Sequence, residues 1–251
     1  MHEGLSVVIP AYNEEHRIGS TLERIVSYLS RRGHPFEILV VDDGSTDGTS
    51  RVVEDFKALR ADFGLRVLHN PANRGKGFSV RRGMLEAVHG YALLTDADLS
   101  APIEEVAKLE REVIEGSCDI AFGSRDLPGS DIQIHQPWLR ENGGKLFNWA
   151  VRRLLGIPFR DTQCGFKLFR MSSCRLLFER QRITGFSYDV EILCLAWNSR
   201  LALREIPIVW NHDAGSKVSF FRDGLRMMID VLRIRWSHQR LPGRPGAGRS
   251  S

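Results

Sequence analysis

Short apolar runs rich in β-branched residues alternate with longer stretches whose apolar residues recur every three or four positions. Residues 5–9, 36–41, 66–69, 91–95 and 119–122 form such runs, each bounded by turn formers, and predict strands. Between them, 14–32, 47–62, 75–89 and 102–115 predict helices. In the first of these Ile18, Leu22, Ile25, Val26 and Leu29 fall on one face. Pro102, after Ser100 and Ala101, is a start signal for the last. Strands that are almost wholly apolar, alternating with helices, predict an α/β fold with a mostly parallel sheet covered on both faces. In such sheets ligands bind beyond the carboxyl ends of the strands.

The second half is less regular. Residues 145–155 and 189–197 predict helices and 203–210 a strand. The segment 218–236 combines Phe220, Phe221, Leu225, Met228, Ile229, Leu232 and Trp236 with Arg222, Arg226, Arg233 and Arg235, as an amphipathic basic helix does. After Leu241 the Pro, Gly, Arg and Ser composition predicts a disordered tail. The expected organisation is therefore one domain over 1–217, an amphipathic helix over 218–240 that lies on a membrane surface or packs on the domain, and a tail over 241–251.

A chain of 251 residues, 42% hydrophobic and 26% charged, has enough apolar content for one sizeable core and excludes a disordered or fibrous protein. It contains no uninterrupted apolar run long enough to span a bilayer, and no basic and apolar leader precedes the first strand. A cytoplasmic location is the expectation. Cys118, Cys164, Cys174 and Cys194 form no CxxC pair and read as unpaired thiols of a reducing compartment. The net charge of +4 hides an asymmetry: residues 222–251 hold seven arginines against Asp223 and Asp230, which leaves the rest at −1. No nucleic-acid footprint covers the domain.

The chemistry clusters at the strand ends. The first strand runs into Pro10-Ala11-Tyr12-Asn13-Glu14, the second into Asp42-Asp43-Gly44-Ser45, and the fourth into Asp96-Ala97-Asp98. Acids brought together at one sheet edge repel one another unless a positive partner fills the space. Asp96 and Asp98, two apart on chain leaving a strand, can direct two carboxylates at one Mg²⁺ or Mn²⁺ that keeps substrate phosphates as its other ligands. Asp42 is placed to accept hydrogen bonds from a nucleotide base or ribose. Asn73-Arg74-Gly75-Lys76-Gly77 opens the third helix and reads either as an anion site or as structural capping.

These motifs, together with Gly123-Ser124-Arg125 and Asp161-Thr162-Gln163-Cys164-Gly165-Phe166-Lys167, occur in an order that resembles the family-2 inverting glycosyltransferases. Within that family the chain is similar to the polyprenyl-phosphate sugar synthases, over residues 5–236. The resemblance implies a GT-A fold, a nucleoside-diphosphate sugar donor and a polyprenyl (dolichyl or undecaprenyl) phosphate acceptor. It implies that Pro10, Ala11, Tyr12, Glu14, Val40 and Asp42 contact the donor nucleoside, and that Lys76, Asp96 and Ala97 belong to the donor site. Asp96 and Asp98 would hold the metal, with Ser100 where mannose-transferring members often carry Gln. Arg125, Arg140 and Lys217 would act at the phosphates, with Asp98 in the catalytic set. Gln163 and Arg140 would shape the acceptor side, although Asp161 and Gln163 could also simply tie down a turn. Asp189 and Glu191 stand where hydroxyl-glycosylating relatives keep a base.

The implied activity is inverting transfer of a hexose, glucose from UDP-glucose, to a polyprenyl phosphate at the cytoplasmic face of a membrane. The alternatives are mannose from GDP-mannose, transfer to a hydroxyl of a glycan or glycolipid, and a non-catalytic sugar-nucleotide-binding module. A phosphate acceptor is already ionised at pH 7 and needs no general base, whereas a hydroxyl does. Asp189→Asn is therefore expected to be tolerated with the first acceptor and severe with the second.

Overall fold

Alternate residues of the first strand face opposite sides of one sheet, and both sides are buried. A computed structural model describes residues 4–60, 63–116, 118–132, 138–211 and 220–238. In it β1 (Leu5–Ala11) sends Val7 and Ile9 into one apolar layer and Val8 into the other. In β2 (Phe36–Asp42), Ile38 and Val40 oppose Leu39 and Val41 in the same way. Each such side chain, wholly removed from water, contributes roughly 1.5–3 kcal/mol to folding.

The remaining strands are β3 (Gly64–His69), β4 (Tyr91–Leu94), β5 (Ile120–Ser124), β6 (Asp131–Ile132), β7 (Lys167–Arg170), β8 (Leu203–Pro207) and β9 (Val209–Trp210). Seven of them form one sheet in the order β3-β2-β1-β4-β7-β5-β8, and β6 pairs with β9 in a small second sheet. All pairings in the main sheet are parallel except those of β7, which runs antiparallel to both β4 and β5. The other six strands therefore point the same way, and their carboxyl ends share one edge. Reversal of β7 has a consequence for the site: the loop that precedes it, residues 161–166, reaches that same edge. The sequence pattern did not announce β7, which is short and lies inside a run of mixed character.

The helices are α1 (Ile18–Ser30), α2 (Thr49–Leu59), α3 (Lys76–Glu86), α4 (Val106–Glu110), α5 (Trp138–Leu155), α6 (Met171–Arg180), α7 (Tyr188–Asn198) and α8 (Phe220–His238). α1 starts later than its periodicity suggests, because Asn13 adopts a left-handed conformation (φ 56°) and residues 13–15 bond instead to the loop after β2. The predicted helix at 102–115 is composite: a 3₁₀ turn (Ile103–Glu105), α4, and a π turn (Arg111–Glu115). The predicted strand over 203–210 breaks at Ile208, where the chain leaves the main sheet to pair with β6. α6 went unpredicted, and α5 is longer than its clear periodic part.

α8 packs on α5 and α7 and buries Val231 and Ile234. Arg235 donates to the Leu154 carbonyl at 2.7 Å. Its opposite face carries Leu225, Ile229, Leu232 and Trp236, all exposed. The helix packs one apolar face on the domain, as one of the two expectations for this segment has it, and leaves another apolar face exposed. Among the described residues no helix is long and apolar enough to cross a membrane. The 241–251 tail lies outside the described residues. The four cysteines are free and buried; burial pushes Cys164 and Cys174 up to about 12 and Cys118 and Cys194 up to about 11, so they remain thiols.

Candidate functional site at the carboxyl edge of the sheet

The loops after β1 and β2 are laced into one unit. The Asn13 side-chain oxygen accepts the Thr46 amide at 2.8 Å, the Asn13 amide donates to Ser45 Oγ, and the Glu14 amide donates to Thr49 Oγ1 at 2.7 Å. Glu14 pairs with Arg17. Asp42 is 4% exposed and spends Oδ1 on the Ser45 amide, while His69 Nδ1 lies 3.5 Å from Oδ2. Its neighbour Asp43 has another task. Its carboxylate accepts the amides of Arg74 and Gly75 and the side-chain amide of Asn70. Asp43 thus shapes the loop that delivers Lys76. Gly75 needs its positive φ of 98° there, and a Cβ would meet the Thr184 carbonyl.

Lys76 does not cap the helix it opens. Its ammonium lies 2.6 Å from Asp96 Oδ1. The acidic cluster anticipated from the strand ends therefore has its cation within the chain. Although burial opposes the charge, Asp96 holds the Lys76 ammonium above its ordinary value. Asp98 takes the Ser100 amide at 2.9 Å, and burial followed by repulsion from Asp96 raises its pKa. The two carboxylates are near enough for one to feel the other's charge.

Three segments clamp the Asp96–Asp98 turn from outside. Thr21 of α1 donates to the Ala97 carbonyl at 2.6 Å, and the Asn211 amide donates to the Ser100 carbonyl at 2.7 Å. Leu99 sits in a left-handed conformation (φ 45°) and is held there by burial at 3% exposure. Gly165, from the loop before β7, lies flat against Asp96: a Cβ would stand 2.2 Å from Oδ2. Apart from the Lys76 ammonium, no donor meets the buried Asp96 Oδ1. The hard carboxylate oxygens of two acids held two residues apart fit a divalent cation of the magnesium or manganese kind. Among the described residues no group of three or more His, Cys, Asp and Glu side chains gathers to hold a metal.

Arg125 follows β5. Asp161 grips its guanidinium as a fork, Nε to Oδ2 at 2.7 Å and Nη2 to Oδ1 at 2.9 Å. Burial would raise the Asp161 pKa, but the Arg125 charge and its bonds hold it below the usual carboxylate range. Glu205 fixes Asp161 in turn by accepting its amide, that of Arg160 and the Ser124 hydroxyl. Trp210 lies under the guanidinium, with its ring centroid 5.0 Å from Cζ.

Beneath Asp96 a second ion pair closes the floor. Lys167 Nζ lies 2.6 Å from Asp189 Oδ1 and also donates to the Cys164 carbonyl. Asp189 is therefore a buried partner of Lys167 and not an exposed base. Glu191 is likewise buried, accepting the amides of Arg182 and Ile183.

Of the residues singled out in the sequence, the fold brings Pro10, Ala11, Tyr12, Glu14, Asp42, Lys76, Asp96, Ala97, Asp98, Arg125 and Gln163 to one edge. Val40 differs: its side chain is 0% exposed within the core, so a nucleoside contact would have to come from its backbone. The Gln163 amide bonds to Asp161, which ties that turn to Arg125. The side chain of Arg140 and the whole of Lys217 lie outside the described residues. Sequence reasoning missed Thr21, Asp43, Lys167, Glu205 and Trp210 as parts of the site. Thr21 left one signal, as a polar residue on the buried face of α1.

Residues 6–178 match the model of a protein family described as glycosyl transferase family 2. The chain is 36% identical over 252 residues to a dolichyl-phosphate beta-glucosyltransferase of Saccharomyces cerevisiae, covering 93% of this chain and 75% of that protein. It is 33% identical over 243 residues to a protein of the same name from Dictyostelium discoideum, covering 93% and 74%. Among solved structures it is similar to glucosyl-3-phosphoglycerate synthase from Mycobacterium tuberculosis in complex with Mn²⁺ and UDP-glucose. That likeness has a TM-score of 0.70 at 20% identity, covers 93% of this chain and 79% of the other, and shows the shared GT-A fold.

Proposed function

The chain belongs to glycosyl transferase family 2, and on that premise we propose that it moves glucose from UDP-glucose to a polyprenyl phosphate with inversion, working as a peripheral enzyme at the cytoplasmic face of a membrane. The observation that carries the reading is the carboxyl-edge cluster itself. Asp96 and Asp98 are clamped beside Lys76, and Arg125 is held charged at the same edge.

Asp42 and the Tyr12–Glu14 loop receive the nucleoside, where the bonds between the two loops have already fixed the backbone. Asp96 and Asp98 would hold Mg²⁺ or Mn²⁺, which would supply positive charge to offset that of the diphosphate leaving group. Arg125 stays ionised at every working pH and donates to phosphate oxygen; Asp161 occupies the Nε–Nη2 side of the guanidinium and so fixes its orientation. Lys76 and, from the resemblance, Arg140 and Lys217 add positive charge around the phosphates. Gln163 lines the acceptor side.

The acceptor follows from proton accounting. A lipid monophosphate attacks as the anion it already is, whereas a hydroxyl needs a base. Asp189, in the position of a base, is committed to Lys167 inside the protein. A phosphate acceptor suits that arrangement. The outer face of α8, with Leu225, Ile229, Leu232 and Trp236 flanked on one side by Arg226 and Arg233, suits a seat on the lipid surface where such an acceptor resides.

A donor panel decides the reading. UDP-glucose, GDP-mannose and other sugar nucleotides are offered with a short-chain polyprenyl phosphate and Mn²⁺ or Mg²⁺. The expected products are UDP and a lipid β-glucosyl phosphate, formed only with a divalent cation. Transfer to hydroxyl acceptors alone, or no turnover of any donor, overturns it.

A further inference from the structure

We infer that the indole N–H of Trp210 donates a hydrogen bond to a phosphate oxygen of the bound substrates, which makes Trp210 a contact residue of the site. The inference rests on the reading above, that phosphates bind between Arg125 and the Asp96–Asp98 turn.

Trp210 is 8% exposed, and its Nε1 meets no acceptor. A buried N–H without a partner is costly, and buried tryptophans ordinarily find one. Among the described residues nothing around it supplies that acceptor. The guanidinium stacked on its ring has donors only. Both oxygens of Asp161 are taken, Oδ2 by the amide and Nε of Arg125, Oδ1 by Nη2 of Arg125 and the Gln163 amide.

Position says what kind of oxygen would come. Trp210 ends β9, and the next residue bonds to the Ser100 carbonyl, two residues beyond Asp98. On its other side stands Arg125. An oxygen entering between a guanidinium and a carboxylate pair that takes a cation is most stable as an anion, and phosphate is the anion both substrates carry. The indole N–H then gives a fixed, neutral donor that complements the charged one above it.

The test uses the full chain. Trp210→Phe keeps an aromatic face for Arg125 and removes the N–H together with the five-membered ring that carries it, so the wild-type indole signal is the primary readout and the variant supports it. Indole N–H signals are followed by proton–nitrogen correlation spectra, and the Trp210 signal is the one missing in W210F. One arm titrates UDP with Mn²⁺, the other citronellyl phosphate. The expected result is a downfield move of that signal in the arm whose phosphate it meets, with W210F weakening the same probe roughly tenfold or more, as loss of a hydrogen bond to a charged group does. A loss confined to the KM of one substrate distinguishes a contact from a general structural defect. If W210F does not fold, sequential assignment of the wild-type spectrum identifies the signal and the titration still decides. An unmoved signal while both probes bind, or a folded W210F with unchanged affinities, overturns the inference and means a water satisfies the indole. A wild-type chain whose indole responds to the probes but which transfers no sugar overturns the functional reading and leaves the contact standing.

Discussion

Lys167 and Asp189 form an ion pair of 2.6 Å in which the side chains are only 1% and 5% exposed. Removing one member of such a pair strands the other charge in a medium that cannot solvate it, at a cost of about 3–5 kcal/mol. The expectation that Asp189→Asn separates phosphate from hydroxyl acceptors therefore needs correction. That variant should first lower the melting temperature, by roughly 6–20 °C for a domain of this size. Replacing both partners with apolar residues of similar volume, Lys167→Met with Asp189→Leu, should restore most of the loss. Calorimetry of the three variants checks this. Glucose transfer by the stable double variant then asks the catalytic question cleanly, and near-wild-type turnover is the outcome expected for a phosphate acceptor.

Gly165→Ala tests the clamp on the metal-binding turn. The new Cβ would stand 2.2 Å from Asp96 Oδ2 and 2.6 Å from its Cγ, so the carboxylate must swing away. The clash falls on a side chain and not on backbone, which predicts a folded protein with a displaced ligand. Apparent Mn²⁺ affinity in the presence of UDP-glucose should fall about 10–100-fold. An unaltered Mn²⁺ titration would show that Asp96 does not bind the ion in the position seen here.

The Arg125–Asp161 fork makes a pH prediction whose sign is fixed. The folded-state pKa of Asp161 lies below its unfolded value of about 3.9, so its contribution is complete above that value and is lost as pH falls through the folded pKa. Asp161→Asn should cost about 3–5 kcal/mol at neutral pH, because Arg125 then lacks its counter-charge. The gap in stability between wild type and variant should narrow progressively below about pH 4. Urea unfolding at pH 7, 4 and 3 measures it. A gap that stays constant would mean the fork contributes through shape and not through charge.

The parts of the site that could be read from the sequence are those whose signal is local. Asp42, Asp96 and Asp98 each follow a run of buried strand residues, so period and position place them at the sheet edge without further information. Lys76 was visible as a cation at a helix start, yet its partner was not, because pairing with Asp96 depends on how α3 and β4 lie in space. Gly165 and Lys167 sat in a recognisable motif, but their roles depend on β7 running antiparallel between β4 and β5. A four-residue strand has no period long enough to declare itself or its direction. Glu205 and Trp210 reach the site by tertiary routes of the same sort, through pairing of β8 with β5 and the break at Ile208.

That same three-dimensional view changes how the membrane proposal should be tested. Deleting everything after residue 217 would remove Val231 and Ile234 from the core beside α5 and α7, so a loss of lipid binding could reflect a damaged fold. The outer stripe of α8 can be altered alone. Leu225, Leu232 and Trp236 are 67%, 45% and 80% exposed, and replacing all three by Ser should leave the melting temperature nearly unchanged. If those side chains enter the headgroup layer, each large apolar group lost removes on the order of 1 kcal/mol or more of binding, and sedimentation with anionic vesicles should fall at least tenfold. Arg226 and Arg233 contribute separately, about 1 kcal/mol each, and that share should vanish in high salt while the apolar share persists. Equal pelleting of the triple-Ser variant and wild type at high salt would remove α8 as the lipid-facing surface and leave its exposed stripe to some other partner.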